Sequence, residues 1–203
     1  MLSQGVNLVL TEMIVRIVGG SLRGRSLRAP ASRLTRPTSD RTREALFSIL
    51  GAMPEFDIDD ARVIDLFAGT GALGFEALSR GAQFSLFVET DSAARGVLRD
   101  NSDTLELMGV SKIYKRDATQ LGPRPASVGP VFDLAFLDPP YEKDLATRAL
   151  EQLDKGGWLA PSAMVIVEES ARITFVPPAT YQLFDTRKYG DTSLHFMLYN
   201  GSA

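Results

Sequence analysis

The sequence predicts an α/β protein, a doubly wound and mostly parallel sheet with a small basic segment ahead of it. Three observations carry this. From Ala61 onward, short β-branched or aromatic runs alternate with helical stretches, the pattern of a parallel sheet with helices on both faces. A glycine-rich turn from Asp65 to Gly74 follows the first of those runs and opens the first helix. The 203 residues suit one domain with a small appendage, since single domains run roughly 100–200 residues.

The elements follow in order. Residues 1–12 show no pattern and stand as an N-terminal extension, with Met13 a second candidate start. Residues 13–55 form a basic arm, and residues 56–203 the main domain. In the arm, Ile14 to Val18, Gly19-Gly20 and the alternating Leu22 to Leu27 predict a hairpin, with Arg23 and Arg25 along one strand. Ala29 to Thr38 is a loop carrying Pro30 and Pro37. Asp40 is the expected N-cap of a helix whose apolar face is Ala45, Leu46, Ile49 and Leu50. In the main domain, strands are expected at Val63–Phe67, Phe84–Glu89, Lys112–Lys115, Phe132–Leu137 and Met164–Glu168. Helices are expected from the glycine turn to Arg80, over Ser92–Met108 and over Lys143–Leu153. Tyr181–Arg187 and Ser193–Tyr199, around Tyr189-Gly190-Asp191, predict an antiparallel hairpin at the sheet edge.

Composition excludes several chemistries. There is no cysteine, so disulfides, thiolate zinc sites and cysteine nucleophiles are out. The single histidine, His195, lies in an apolar run and is expected to be an ordinary strand residue rather than a catalytic base. No metal site is expected. No apolar stretch reaches the ~18 residues of a membrane span, and the N-terminus lacks a signal-peptide pattern; a cytoplasmic protein is expected. The net charge of −3 conceals an asymmetry. Residues 1–50 carry eight arginines and three acids, net +5, while the remainder carries −8. A basic arm on an acidic body suggests a local polyanion contact, and arginine both forks onto phosphate and stacks on bases.

The glycine turn points to a nucleoside-containing cofactor. Gly69, Gly71 and Gly74 match the dinucleotide fingerprint, with Glu89 ending the next strand 20 residues after Gly69. The acid would bind ribose hydroxyls in a nicotinamide enzyme and in an S-adenosylmethionine (SAM) enzyme alike. Asp65 favours SAM: a carboxylate ahead of the turn repels a pyrophosphate but attracts the ammonium of a methionine moiety. Asp117, at the end of the third strand, is placed to accept from an adenine amino group, or simply to cap a loop.

Asp138-Pro139-Pro140-Tyr141 ends the fourth strand at the same edge. An aromatic amine is a poor nucleophile because its lone pair is delocalised into the ring. A site helps by accepting the amine hydrogens, stacking the base and aligning nitrogen, methyl and sulfur at roughly 3–3.5 Å. Asp138 supplies a carboxylate and Pro139 a carbonyl. The prolines restrict φ and hold these acceptors in place. Tyr141 offers a stacking face, worth about 1–3 kcal/mol per base. Since the amine turns cationic during transfer, Asp138 would stabilise the transition state more than the ground state.

With those residues in view, the chain resembles a known family. Arg16-Ile17-Val18-Gly19-Gly20 with Gly24-Arg25, Arg36-Pro37-Thr38-Ser39-Asp40-Arg41-Thr42-Arg43-Glu44-Ala45-Leu46-Phe47, Asp65 to Gly74, Phe87-Val88-Glu89, Leu137 to Tyr141 and Lys188-Tyr189-Gly190-Asp191-Thr192 are together similar to the RsmD family. These are bacterial methyltransferases of a guanine 2-amino group in 16S ribosomal RNA. The likeness runs from about Met13 to Tyr199 and leaves out the first twelve residues. It implies a Rossmann-like class I methyltransferase with seven strands, the last antiparallel. It implies SAM as donor and guanine 966 of 16S rRNA, in the small ribosomal subunit, as target, with the protein a monomer. By motif, Asp65, Gly69 and Gly71 would line the methionine side, Glu89 the ribose and Asp117 the adenine. Asp138, beside the cofactor, and Tyr141 would hold the guanine, and Arg36 and Arg43 would lie near the SAM–substrate junction. Arg23 and Arg25 are the expected grip on RNA phosphates. The competing readings are an adenine amino-methyltransferase, a protein glutamine methyltransferase, a nicotinamide oxidoreductase and a non-catalytic RNA-binding assembly factor.

Overall fold

A computed structural model describes residues 15–29, 39–54, 56–140 and 144–201. A two-residue ladder, β1 (Val15–Arg16) against β2 (Ser26–Leu27), closes the arm hairpin with Val15 opposite Leu27. The expected long second strand is not formed. Gly20 and Gly24 take φ of +75° and +86°, and residues between them turn through Gly24 N–H to Ile17 O (2.8 Å). Arg23 and Arg25 therefore sit on and beside this turn rather than alternating along a strand.

Helix α1 spans Asp40–Gly51. Its N-cap is Ser39, one residue earlier than expected, whose Oγ accepts from Thr42 N–H at 3.1 Å. Asp40 is instead the first helical residue, where its charge favours the positive end of the helix. Arg43, Leu46, Phe47 and Leu50 face inward.

The main sheet holds β3 (Arg62–Leu66), β4 (Phe84–Val88), β5 (Ser111–Tyr114), β6 (Phe132–Leu137), β7 (Leu159–Ser170), β8 (Tyr181–Tyr189) and β9 (Thr192–Tyr199). Their order is β5-β4-β3-β6-β7-β9-β8. β5 through β7 are parallel, β9 runs antiparallel to β7, and β8 forms the edge as the hairpin partner of β9. The order reverses between β3 and β6, so the crevice at their carboxyl ends is where ligands bind in open α/β sheets. Helices α2 (Ala72–Ser79), α3 (Ser92–Thr104) and α4 (Leu145–Lys155) complete the layers. The arm, α1, α2 and α3 share one core with Val63, Phe87, Phe136, Ile166 and Phe196. The opposite core holds α4, Trp158, Phe132 and Tyr199.

The largest differences in extent from expectation are in α3 and β7. α3 stops at Thr104, not Met108, because Glu106 turns left-handed (φ +62°). The next amides then bond back, Glu106 N–H to Asp103 O and Leu107 N–H to Ser102 O, which is a Schellman stop usually made with glycine. β7 is longer than expected at both ends, starting beside Phe132 across a register shift. His195 lies in β9, 5% exposed, with Nδ1 at 3.1 Å from Thr186 Oγ1 and its ring against Phe175, a strand residue as expected.

Candidate active site

Four carboxylates gather at the carboxyl edge of four neighbouring strands. Asp65 is on β3, Glu89 directly follows β4, Asp117 lies three residues past β5, and Asp138 directly follows β6. The register aligns them: Leu66 pairs with Val88 on one side and with Leu137 on the other. Asp138 is thus one strand away from the glycine turn.

Two of these acids build the turn. Asp65 is 2% exposed, and its Oδ2 accepts from Gly74 N–H at 3.0 Å. Glu89 is 4% exposed; its Oε2 accepts from Gly69 N–H and its Oε1 from Asp91 N–H, each at 2.9 Å. The turn is pinned at both ends by strand-end carboxylates. Burial pushes the Asp65 carboxyl up to about 8, aided by nearby Glu89 and opposed by the Gly74 N–H. Glycine is required at position 71, where φ is +78°, and at position 74, where a Cβ would lie 2.3 Å from Phe87 Cε1. At Gly74 the demand is packing of α2 on β4, not closeness to a ligand. Phe67, at the start of the turn, has φ +61°. A bulky side chain there costs of order 1–3 kcal/mol and is a mark of functional loops. Nothing in the sequence marked Phe67.

Asp117 is exposed and caps a short 3-10 turn: its Oδ1 accepts from Thr119 N–H (2.8 Å) and Thr119 Oγ1–H (2.7 Å). The capping role and a second role for Oδ2 are compatible. Asp138 is half-buried, Pro139 buried and Pro140 exposed. Tyr141 and Arg36, both expected near the substrate, lie outside the described residues.

The arm is seated on the two helices that flank the turn. On α2, Glu76 Oε2 accepts from Val18 N–H (2.7 Å), Ser79 O from Ser21 N–H (2.7 Å), and Ser79 Oγ from Leu22 N–H (2.9 Å) while donating to Gly19 O (2.6 Å). On α3, Arg28 pairs with Asp100 (3.1 Å) and Arg25 donates to Thr104 O (2.6 Å). Asn101, a residue sequence reasoning passed over, joins the Arg28 backbone to Thr70 O in the turn. Arg16, Arg23, Arg25, Arg28 and Arg41 are exposed. Arg43 is not among them. It is 1% exposed, and its guanidinium donates to Arg16 O (2.5 Å) and Asp40 Oδ1 (2.8 Å), bracing the arm against α1.

Residues 15–198 match the family described as conserved hypothetical protein 95, and the chain is 36% identical to ribosomal RNA small subunit methyltransferase D of Haemophilus influenzae, over 88% of this chain and 91% of that one. The chain belongs to the RsmD family. It is a methyltransferase with the Rossmann-like class I fold. The solved structure of the Escherichia coli protein yhhF superposes with a TM-score of 0.78 at 34% identity, covering 93% of this chain and 99% of that one. An RNA methyltransferase of Salinibacter ruber, solved with S-adenosyl-L-homocysteine, shares the fold at 13% identity, with a TM-score of 0.61 over 83% of this chain and 96% of that one. Among the described residues no helix is long and apolar enough to cross a membrane, and no group of three or more acidic or histidine side chains could hold a metal.

Proposed function

We propose that the protein transfers a methyl group from SAM to the exocyclic 2-amino group of a guanine in 16S ribosomal RNA, within the small subunit, at the position the family modifies. The observation that carries this reading is the adjacency of Asp138-Pro139-Pro140 to the acid-pinned glycine turn, on neighbouring strands at the switch point of the sheet. The curated relative named for small-subunit rRNA methylation extends it to RNA.

The residues present fit SAM. Asp65, Glu89 and Asp117 end successive strands. They match, in order, an ammonium, ribose hydroxyls and an adenine amino group, all hydrogen-bond donors. Asp65 beside the turn gives a pyrophosphate no counter-charge, whereas an ammonium there gains one as the carboxyl ionises, which favours SAM over a nicotinamide cofactor. Bound there, SAM supplies an electrophilic methyl on a cationic sulfur. Asp138 accepts an N–H of the target amine and offsets the positive charge that grows on nitrogen. Pro139 has no N–H to compete for that amine. The exposed arginines of the arm bind phosphate and set the RNA's position without reading its sequence. The target base leaves its stack to enter the crevice.

The test is transfer from labelled SAM to small subunits from cells lacking the enzyme, alongside naked rRNA, with nucleoside identification. N2-methylguanosine is expected. Methyladenosine, or label in protein alone, would refute the guanine assignment.

A further inference from the structure

Asn101 has no part in the chemistry above, yet it is 2% exposed and makes three hydrogen bonds to two separate places. Its Oδ1 accepts from Arg28 N–H at 2.8 Å. Its Nδ2 donates to Arg28 O and to Thr70 O, each at 3.1 Å. Arg28 is the arm's last residue but one before the undescribed segment, and Thr70 lies between Gly69 and Gly71 in the turn.

An amide nitrogen has two hydrogens. Here one goes to the arm and the other to the cofactor turn. If Arg28 and Thr70 move apart, a buried donor is stranded, which proteins rarely tolerate. Anchoring the arm does not require this residue: Glu76 and Ser79 already hold Val18 to Leu22, and Arg43 holds Arg16. What Asn101 adds is the link to Thr70.

We infer that Asn101 is a positioning residue that couples RNA binding on the arm to cofactor binding in the turn. RNA drawn onto Arg23, Arg25 and Arg28 favours the arm seated at Arg28 as the structure shows it. Asn101 then holds Thr70, and with it the turn between Gly69 and Gly71, in the conformation that binds SAM. Linkage makes the effect reciprocal, so bound cofactor tightens RNA by the same factor. The inference rests on the function proposed above, with the arm as RNA grip and the turn as cofactor site.

The experiment measures the dissociation constant of S-adenosylhomocysteine with the full chain, alone and with saturating small-subunit RNA. In the wild type, RNA should tighten it by about fivefold or more, within the usual range for coupled sites. Asn101→Ala should bring that ratio close to one. It should also raise the KM for SAM in the presence of RNA and leave kcat at saturation little changed. Asn101→Asp keeps the acceptor for Arg28 N–H and loses both donated bonds, so it should lose the coupling too and serves if the alanine variant folds poorly. A wild-type ratio of one overturns the inference. So does a folded variant that melts earlier but keeps the wild-type ratio, since Asn101 would then only brace the fold. Failure of the wild type to bind one of the two ligands at all is a different result: it overturns the proposed function, and the coupling with it.

Discussion

Asp65 gives the sharpest test of how the site holds its cofactor. Its carboxyl titrates near 8 because it is buried on β3 with only the Gly74 N–H in compensation. At pH 7 a group with that pKa is about nine-tenths protonated, and each pKa unit corresponds to about 1.4 kcal/mol. An ammonium placed against it favours the ionised form, so binding should lower the pKa and release a proton. The expected release is about 0.9 proton per cofactor at pH 7. Ionising Asp65 there weakens binding about tenfold relative to a pH above 8, and the penalty grows about tenfold for each unit of pH lost below it. Calorimetric titration of S-adenosylhomocysteine in two buffers of different ionisation enthalpy, between pH 6 and 7.5, counts the protons. At the lower end of that range an α-amino group, pKa roughly 7.7–8.0, is almost fully protonated and adds little to the count. Asp65→Asn keeps an acceptor for Gly74 N–H and cannot titrate, so its binding should be independent of pH here and release no proton. Absence of proton release by the wild type, or equal release by the asparagine variant, would refute the idea that Asp65 faces the cofactor's positive charge.

Further outcomes follow from the same geometry. The unfolded Asp65 carboxyl titrates near 3.8 and the folded one near 8, so the native state holds the extra proton between those values. Its contribution to stability is therefore full below about 3.8, falls as pH rises to about 8 and is level beyond; urea unfolding of the ligand-free protein at pH 4 and pH 8 should show this slope, reduced in Asp65→Asn. Asp138→Ala should lower methyl transfer by about 10²–10³-fold or more, as for loss of a transition-state stabiliser, while S-adenosylhomocysteine affinity measured by calorimetry stays near wild type. Gly74→Ala puts a Cβ 2.3 Å from Phe87 Cε1 and 2.6 Å from Ser85 Oγ, and should cost about 1–3 kcal/mol in urea unfolding. Arg23→Gln should reduce the salt dependence of RNA binding by about one unit of log–log slope and leave cofactor affinity unchanged.

The strands and the glycine turn were legible because their signals are local. Runs such as Val63 to Leu66 and Phe132 to Leu137 are apolar on both faces, as a doubly covered parallel sheet demands, and β6 spans those six residues. The errors arose where the deciding contact was distant or the conformation unusual. The pattern runs past the end of α3 because Glu106, not glycine, takes the left-handed turn. The arm's second strand is shorter than its alternation suggests because Leu22 and Ser21 bond to Ser79 on α2 rather than to a partner strand. The family resemblance puts Arg43 near the substrate, where the structure buries it. Its spacing carried the better signal: residues 43, 46, 47 and 50 fall on one helical face, and all are buried.

Asn101 belongs to the same class of signal. With Ala94, Leu98 and Ser102 it occupies the inward face of α3, and each is buried. A polar residue at an apolar position has to be satisfied from another part of the chain, and here the partners are the arm and the cofactor turn. This changes what the basic segment is. The charge asymmetry suggests an appendage that grips RNA while a separate domain does chemistry. Yet Val15, Ile17 and Leu27 of the arm share one core with Phe75 and Phe87 beneath the turn, and Phe47 of α1 meets Phe136 of β6 at 5.6 Å between ring centroids. On the proposed function, force applied to the arm by RNA is borne by α2 and α3, the two helices that begin at or beside the glycine turn. The arm's buried contacts cannot be loosened without disturbing the turn, and for that reason replacing the exposed Arg23 and replacing the buried Arg43 should differ in kind: the first should weaken RNA binding alone, and the second should lower stability and cofactor affinity together.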